Sequence, residues 1–165
     1  TCGFVYVSFI TDVFSRRILG WNVSTDKREH LVLDALRMAL ATRRRISSEF
    51  TSNGIIHHSD AGSQYTAIAF SEELEKQEML GSIGTIGDAL DNALMESTIG
   101  VYKTELIGER AAGRNWSGMR EVERETAAWV QWYNTERLHS SIDYLTPIER
   151  EMRHANAIAK LAKAS

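Results

Sequence analysis

The sequence predicts an α/β domain built around a mixed sheet. Three observations carry this: two strand-like runs open the chain, apolar residues recur at helical spacing through most of the remainder, and short apolar runs bounded by turn residues are interleaved with those helices. Phe4 to Ile10 and Ile18 to Val23 are rich in β-branched and aromatic residues, and Asp12 to Arg17 lie between them. That pattern predicts an antiparallel hairpin. After Thr25 or Asp26 as an N-cap, Leu31, Leu33, Ala35, Leu36, Met38, Ala39 and Leu40 form one face of an amphipathic helix that ends at Arg43-Arg44-Arg45. Asn53-Gly54 is a turn signal, and Ile55-Ile56 then begins a buried strand that leads through His57, His58 and Ser59 to Asp60.

Ala67 to Gln77 has helical spacing again, and the glycine-punctuated run from Met79 to Ile86 suits a strand or extended loop. Asp88 or Asp91 can cap a helix that contains Ala93, Leu94, Ile99, Val101 and Leu106. A glycine-rich break from Gly108 to Gly118 precedes a long helix from Met119 to Tyr133. The single proline, Pro147, stands where a last helix over Ile148 to Ala162 can start.

The 165 residues, 43% of them hydrophobic, suffice for one core and are too few for two comfortable ones. No apolar stretch approaches the roughly 20 residues of a membrane-spanning helix, and no basic-then-apolar leader opens the chain, so a cytoplasmic setting is expected. Cys2 is the only cysteine, which excludes an intramolecular disulfide and a cysteine-rich zinc site. The formal charge of −3 argues against the whole surface binding nucleic acid. Basic clusters at Arg16-Arg17, at Arg43 to Arg45 and in the tail (Arg150, Arg153, Lys160, Lys163) still leave local faces for it, although Arg43 to Arg45 also read as a solvated helix end that complements the dipole.

Two acids stand out. Asp60 closes an apolar strand and precedes Ala-Gly-Ser, and a carboxylate at the carboxyl end of a buried strand faces the crevice where α/β sheets bind ligands. Glu96 lies thirty-five intervening residues later, within a helical pattern. Taken singly, Asp60 also fits a turn residue and Glu96 a solvated helix face. Lys103 follows Glu96 by seven positions, which at roughly 100° per residue returns it to nearly the same side of a helix.

The words around these residues carry a resemblance. HHSDAGSQY (His57 to Tyr65), GDALDNALMES (Gly87 to Ser97), YKTEL (Tyr102 to Leu106) and YNTERLHSSIDYLTPIE (Tyr133 to Glu149) resemble the DDE transposases of frameshifted bacterial insertion sequences. FVYVSFITDVFSRRILGW (Phe4 to Trp21) looks like the hairpin near the start of the same catalytic domain, which is akin to retroviral integrases and has a ribonuclease H-like fold. The likeness runs from Gly3 to about Glu149, and its specificity lies in several separate words occurring in the right order.

The resemblance implies metal-dependent DNA cleavage and strand transfer. Asp60 and Glu96 would be two of three carboxylates that hold two Mg2+ (or Mn2+) ions, about 4 Å apart, beside the scissile phosphate. Lys103 would contact phosphate, and Gln64, Tyr65 and Asn92 would touch the substrate strand, with Ser63 beside them. The partners implied are the DNA of element ends and target, with self-association on DNA, in the bacterial cytoplasm and at the nucleoid. Residues 1–150 would form the integrase-like core and residues 151–165 a helical tail.

The first acid of such domains sits on an opening strand before the Gly-Phe-Val-Tyr word, which here starts at Gly3. The expectation is therefore a ribonuclease H-like sheet whose first, central strand is missing, and a chain that is impaired or poorly stable alone. Asp12 corresponds to the turn of the DVFSRR word and is not assigned to metal. An inactive remnant that only binds DNA or a transposase is the alternative, and a nuclease that hydrolyses without joining is a third reading. His57 and His58 are expected to pack rather than ligate, since neighbours on a strand face opposite ways. Asp88 and Asp91 are expected as cap residues, Tyr133, Asn134, Arg137 and His139 as packing with some DNA contact, and Trp116, Trp129 and Trp132 as core.

Overall fold

The computed structural model describes residues 4–26, 30–59, 68–83, 97–108 and 116–164. Strand β1 (Tyr6–Thr11) pairs antiparallel with β2 (Ile18–Ser24), Tyr6 opposite Ser24 and Ile10 opposite Gly20, with a register shift at Ile10/Thr11. The turn between them is closed by Asp12, whose Oδ1 accepts both the Ser15 backbone N–H (2.7 Å) and the Ser15 hydroxyl (3.0 Å). An Asp that binds backbone a few residues on is a turn former by chemistry, and Asp12 is thereby used in the hairpin, as the word DVFSRR suggested.

Helix α1 (His30–Ile46) lies against this hairpin with Leu31, Val32, Leu33, Ala35, Leu36, Ala39 and Leu40 buried. The approach is so close that a Cβ at Gly20 would stand 2.0 Å from the Ala35 carbonyl oxygen, so only glycine fits there. Its other apolar residues join a core with Phe70, Leu74 and Met79. Those come from a β-α-β unit: β3 (Ile56–Ser59), α2 (Ile68–Lys76) and β4 (Leu80–Ile83), with β3 and β4 parallel and Ile56 opposite Leu80. Parallel neighbours need such a crossover. Among the described residues the strands form two two-stranded sheets, β1-β2 and β3-β4.

Residues 97–102 form an α-helix, α3, that passes into π-helical turns over Lys103–Gly108. The sequence pattern predicts uninterrupted α-helix there; the wider turn is a difference that periodicity does not reveal. Helix α4 (Met119–Thr135) packs beside it, and Phe9, Ile18, Tyr102, Leu106, Trp129, Val130 and Tyr133 close a second core, with Trp116 packed against it. Trp132 corrects the expectation that all three tryptophans are core: it is 37% exposed, because at roughly 100° per residue it falls about a quarter-turn from the centre of the stripe formed by Val122, Thr126, Trp129, Val130 and Tyr133.

A 3-10 turn (Ser140–Ile142) leads to α5 (Pro147–Ala164). Its start is a reciprocal cap: the Thr146 N–H donates to Glu149 Oε2 (2.9 Å), and the Glu149 N–H donates to the Thr146 hydroxyl (3.2 Å), with Pro147 at the first helical position. The Thr146 N–H holds the Glu149 carboxyl below the usual range. Beyond its first turns the helix is exposed. Glu151 ties it down, accepting Arg17 Nη1 at 2.6 Å and Arg43 Nη1 at 2.7 Å, while Arg43 Nη2 also meets Asp12 at 2.8 Å. Arg43 is thus not a solvated helix end; it is a clasp joining α1, the hairpin turn and α5. No described helix is long and apolar enough to cross a membrane.

Candidate active site

Strand β3 ends at Ser59, and the residue that follows it is Asp60; α3 is described from residue 97, one position after Glu96. Asp60, Ser63, Gln64, Tyr65, Asp88, Asp91, Asn92 and Glu96 all lie outside the described residues. What the structure describes is the scaffold on either flank, together with Lys103. That lysine is exposed and opens the π-helical segment.

On the strand side, the His57 ring packs on Phe70 with centroids 5.2 Å apart, which agrees with a packing role. Burial, and then the positive charge of His58, lower the His57 pKa from 6.5 to about 4. The imidazole is therefore neutral at physiological pH. Its folded pKa lies below its unfolded one, so the stability it contributes is full above pH 6.5 and drains away as pH falls through 6.5 toward 4. By about pH 4 the loss should approach roughly 3 kcal/mol. Urea unfolding at about pH 7 and pH 4.5 checks this: His57→Gln should lose clearly less stability across that interval than the parent protein, and parallel losses would refute it.

On the helix side, α3 is pinned by hydroxyls and aromatic rings. Tyr102 is 4% exposed, and its hydroxyl lies 2.8 Å from that of Thr126. Because the Thr126 hydroxyl donates its one proton to the Val122 carbonyl (2.7 Å), Tyr102 must be the donor to Thr126. Thr98 is 2% exposed and hydrogen-bonds with the Tyr133 hydroxyl. Burial raises the pKa of both tyrosines, so they stay protonated and able to donate.

Glu105 extends the support beyond Lys103. It accepts Arg137 Nε at 3.0 Å and Trp129 Nε1 at 3.3 Å, while Arg137 also stacks over the Tyr133 ring at 5.8 Å. Burial first, then Arg137, lower the His139 pKa. His139 has its Nε2 3.4 Å from the Tyr133 carbonyl and its Nδ1 3.4 Å from Arg137 Nη1, and only the neutral tautomer protonated at Nε2 satisfies both. Asn134 pairs with β2 as a strand would: Ile18 N–H donates to its Oδ1, and its amide donates to the Ile18 carbonyl, each at 2.9 Å.

The word Tyr133 to His139 therefore buttresses the helix bearing Lys103. Sequence reasoning placed these residues in packing but did not find Glu105 as their partner; a carboxylate within a helix carries no local mark of the arginine it will meet. Several described acids are engaged by arginine: Asp12 by Arg43, Glu73 by Arg37, Glu105 by Arg137, and Glu151 by Arg17 and Arg43. Among the described residues no three His, Cys, Asp or Glu side chains group to hold a metal.

Comparison with known proteins bears on the same segments. Residues 1–89 match the family described as "Integrase core domain", and residues 81–147 match a second family of that description. The chain is 44% identical over 149 residues to a Mycobacterium tuberculosis relative named as a transposase for insertion sequence element IS986/IS6110, covering 90% of this chain and 52% of that protein. It is 42% identical over 156 residues to the transposase for insertion sequence element IS629 of Shigella sonnei, covering 94% of this chain and 49% of that one. The chain thus spans about half the length of the curated relatives it matches.

In fold it is similar to the HTLV-2 integrase catalytic core domain in complex with magnesium, at a TM-score of 0.57 and 12% identity over 90% of this chain and 92% of that one. The architecture is therefore ribonuclease H-like, as the resemblance implies. With adjoining matches running from residue 1 to 147, over a hairpin, a β-α-β unit and a buttressed helix, the chain belongs to the integrase core domain family.

Proposed function

We propose that this chain is the catalytic core of an insertion-sequence transposase that cleaves DNA at element ends and joins them to a target. The observation that carries the reading is identity of 42–44% to such transposases along nine-tenths of the chain. Asp60 and Glu96 hold the divalent ions in this reading. Their carboxylates are hard oxygen donors that suit Mg2+ or Mn2+, and the arginine-bound acids of the scaffold are already committed elsewhere. When bound, the two ions supply charge neutralisation at the phosphoryl group and a more reactive nucleophilic oxygen. Lys103 pairs with a phosphate, Gln64, Tyr65 and Asn92 position the strand, and the Glu105–Arg137 pair keeps α3 in place.

Residues 1–150 form the core in this reading and 151–165 its tail, although α5 runs continuously through that boundary. The whole protein acts on chromosomal DNA at the nucleoid and self-associates there on paired element ends.

The test is a strand-transfer assay of the full-length gene product on terminal-repeat DNA with and without Mg2+ or Mn2+. Joined products that require the ion are expected. Cutting without joining would replace transposition by hydrolysis, and joining that ignores chelation would defeat the metal assignment.

A further inference from the structure

Two glycines in this chain stand in opposite situations. Gly20 is demanded by the fold, since a Cβ there would strike the backbone of α1. Gly100, within α3, is not: a Cβ added to it meets no described atom within 4 Å, and its φ is not among the positive ones, which are confined to Gly54 and Gly118 among the described glycines. Glycine is, after proline, the poorest residue for a helix interior. Nothing in the described packing explains why one stands here.

The surroundings say which way this bare spot looks. Thr98 and Tyr102, two positions to either side, are buried, whereas Gly100 itself is exposed. Lys103 is exposed three residues on, where helical neighbours share a side. Thr104, exposed beside it, has its hydroxyl turned back onto the Gly100 carbonyl at 2.9 Å, so it does not reach outward. The widened π turns begin at Lys103, and such turns recur at functional sites. The result is a strip of helix whose backbone can be approached directly, with Lys103 at its end.

We propose that the main chain at Gly100 is the seat of a DNA sugar-phosphate backbone, which crosses α3 close enough that a side chain there would displace it, with Lys103 neutralising the adjoining phosphate. The absence of a Cβ lets a backbone approach to contact distance, and the exposed ammonium of Lys103 suits the phosphates of a polyanion. The inference rests on the reading of this helix as the DNA-facing one and adds to it the residue that sets the depth of approach.

Its test uses the full-length protein, a fluorescein-labelled duplex carrying the terminal repeat, and three variants: Gly100→Ala, Gly100→Leu and Lys103→Ala. Gly100→Ala should melt at or above the parent temperature, because alanine favours the helix, yet bind more weakly. Gly100→Leu should bind about tenfold more weakly through the clash. Lys103→Ala should reduce the slope of log affinity against log salt by about one. A folded Gly100→Leu with parental affinity overturns the proposal, and if that variant fails to fold, parental affinity in Gly100→Ala does the same. An unchanged salt slope in Lys103→Ala would instead remove the DNA-facing reading of the helix on which the proposal stands.

Discussion

Asp60→Asn and Glu96→Gln, each in the full-length protein, are expected to abolish strand transfer while leaving the melting temperature and DNA affinity nearly unchanged. Each substitution keeps the shape of the side chain and removes one negative charge. A neutral amide oxygen is a poor ligand for a hard divalent ion, so charge neutralisation at the phosphoryl group fails at the step where it is most needed. Removal of a single preorganised electrostatic group costs roughly 10²–10³-fold in other enzymes, and loss of a metal ligand should cost at least that. Asp12→Asn is the matched control. Its carboxylate is tied to Ser15 and Arg43 in the hairpin turn, so it should lower stability and spare the chemistry. If Asp60→Asn keeps a tenth or more of parental activity, the assignment of that residue is wrong.

Trp129→Ala should produce the largest change in stability. The indole sits among Phe9, Tyr102 and Tyr133 with ring centroids 5.9, 5.1 and 5.0 Å away, and it is 3% exposed. Truncation empties the centre of the core that joins β1, α3 and α4, and it also deprives Glu105 of an N–H donor. Buried Trp-to-Ala changes cost about 3–5 kcal/mol, a large share of the roughly 5–15 kcal/mol that holds a typical domain folded. Urea unfolding would show the midpoint falling, and Trp129→Phe should recover much of the loss because it refills most of the volume. A cost below about 1 kcal/mol for Trp129→Ala would mean this cluster does not organise the core.

The proposed site is written in the sequence as words. The run HHSD, the segment Gly87 to Ser97 and the YKTEL that follows are contiguous strings, and the chemistry proposed for them comes from their resemblance to a known family. The tail word was legible only in part. Tyr133, Asn134, Arg137 and His139 could be placed in packing, but their partners could not be named, because those partners lie on other elements: Ile18 is 116 residues from Asn134, and Glu105 is 32 from Arg137.

What the sequence by itself determined is the set of things that local pattern controls. The hairpin, α1, α2, the start of α5 at Pro147 and the mixed α/β class all follow from periodicities of two and 3.6 and from turn and cap chemistry acting over a few residues, whereas Met79 to Ile86 suits either a strand or an extended loop, and only the pairing of Leu80–Ile83 with β3 decides for a strand. Only the tertiary structure decided which cation meets which acid, that Arg43 clasps Glu151 instead of facing solvent, that Trp132 turns outward while Trp129 turns in, and that Gly20 is required by the fold while Gly100 is not. These depend on distances between atoms far apart along the chain. Such distances are set when whole elements pack together, and no single stretch of sequence encodes them.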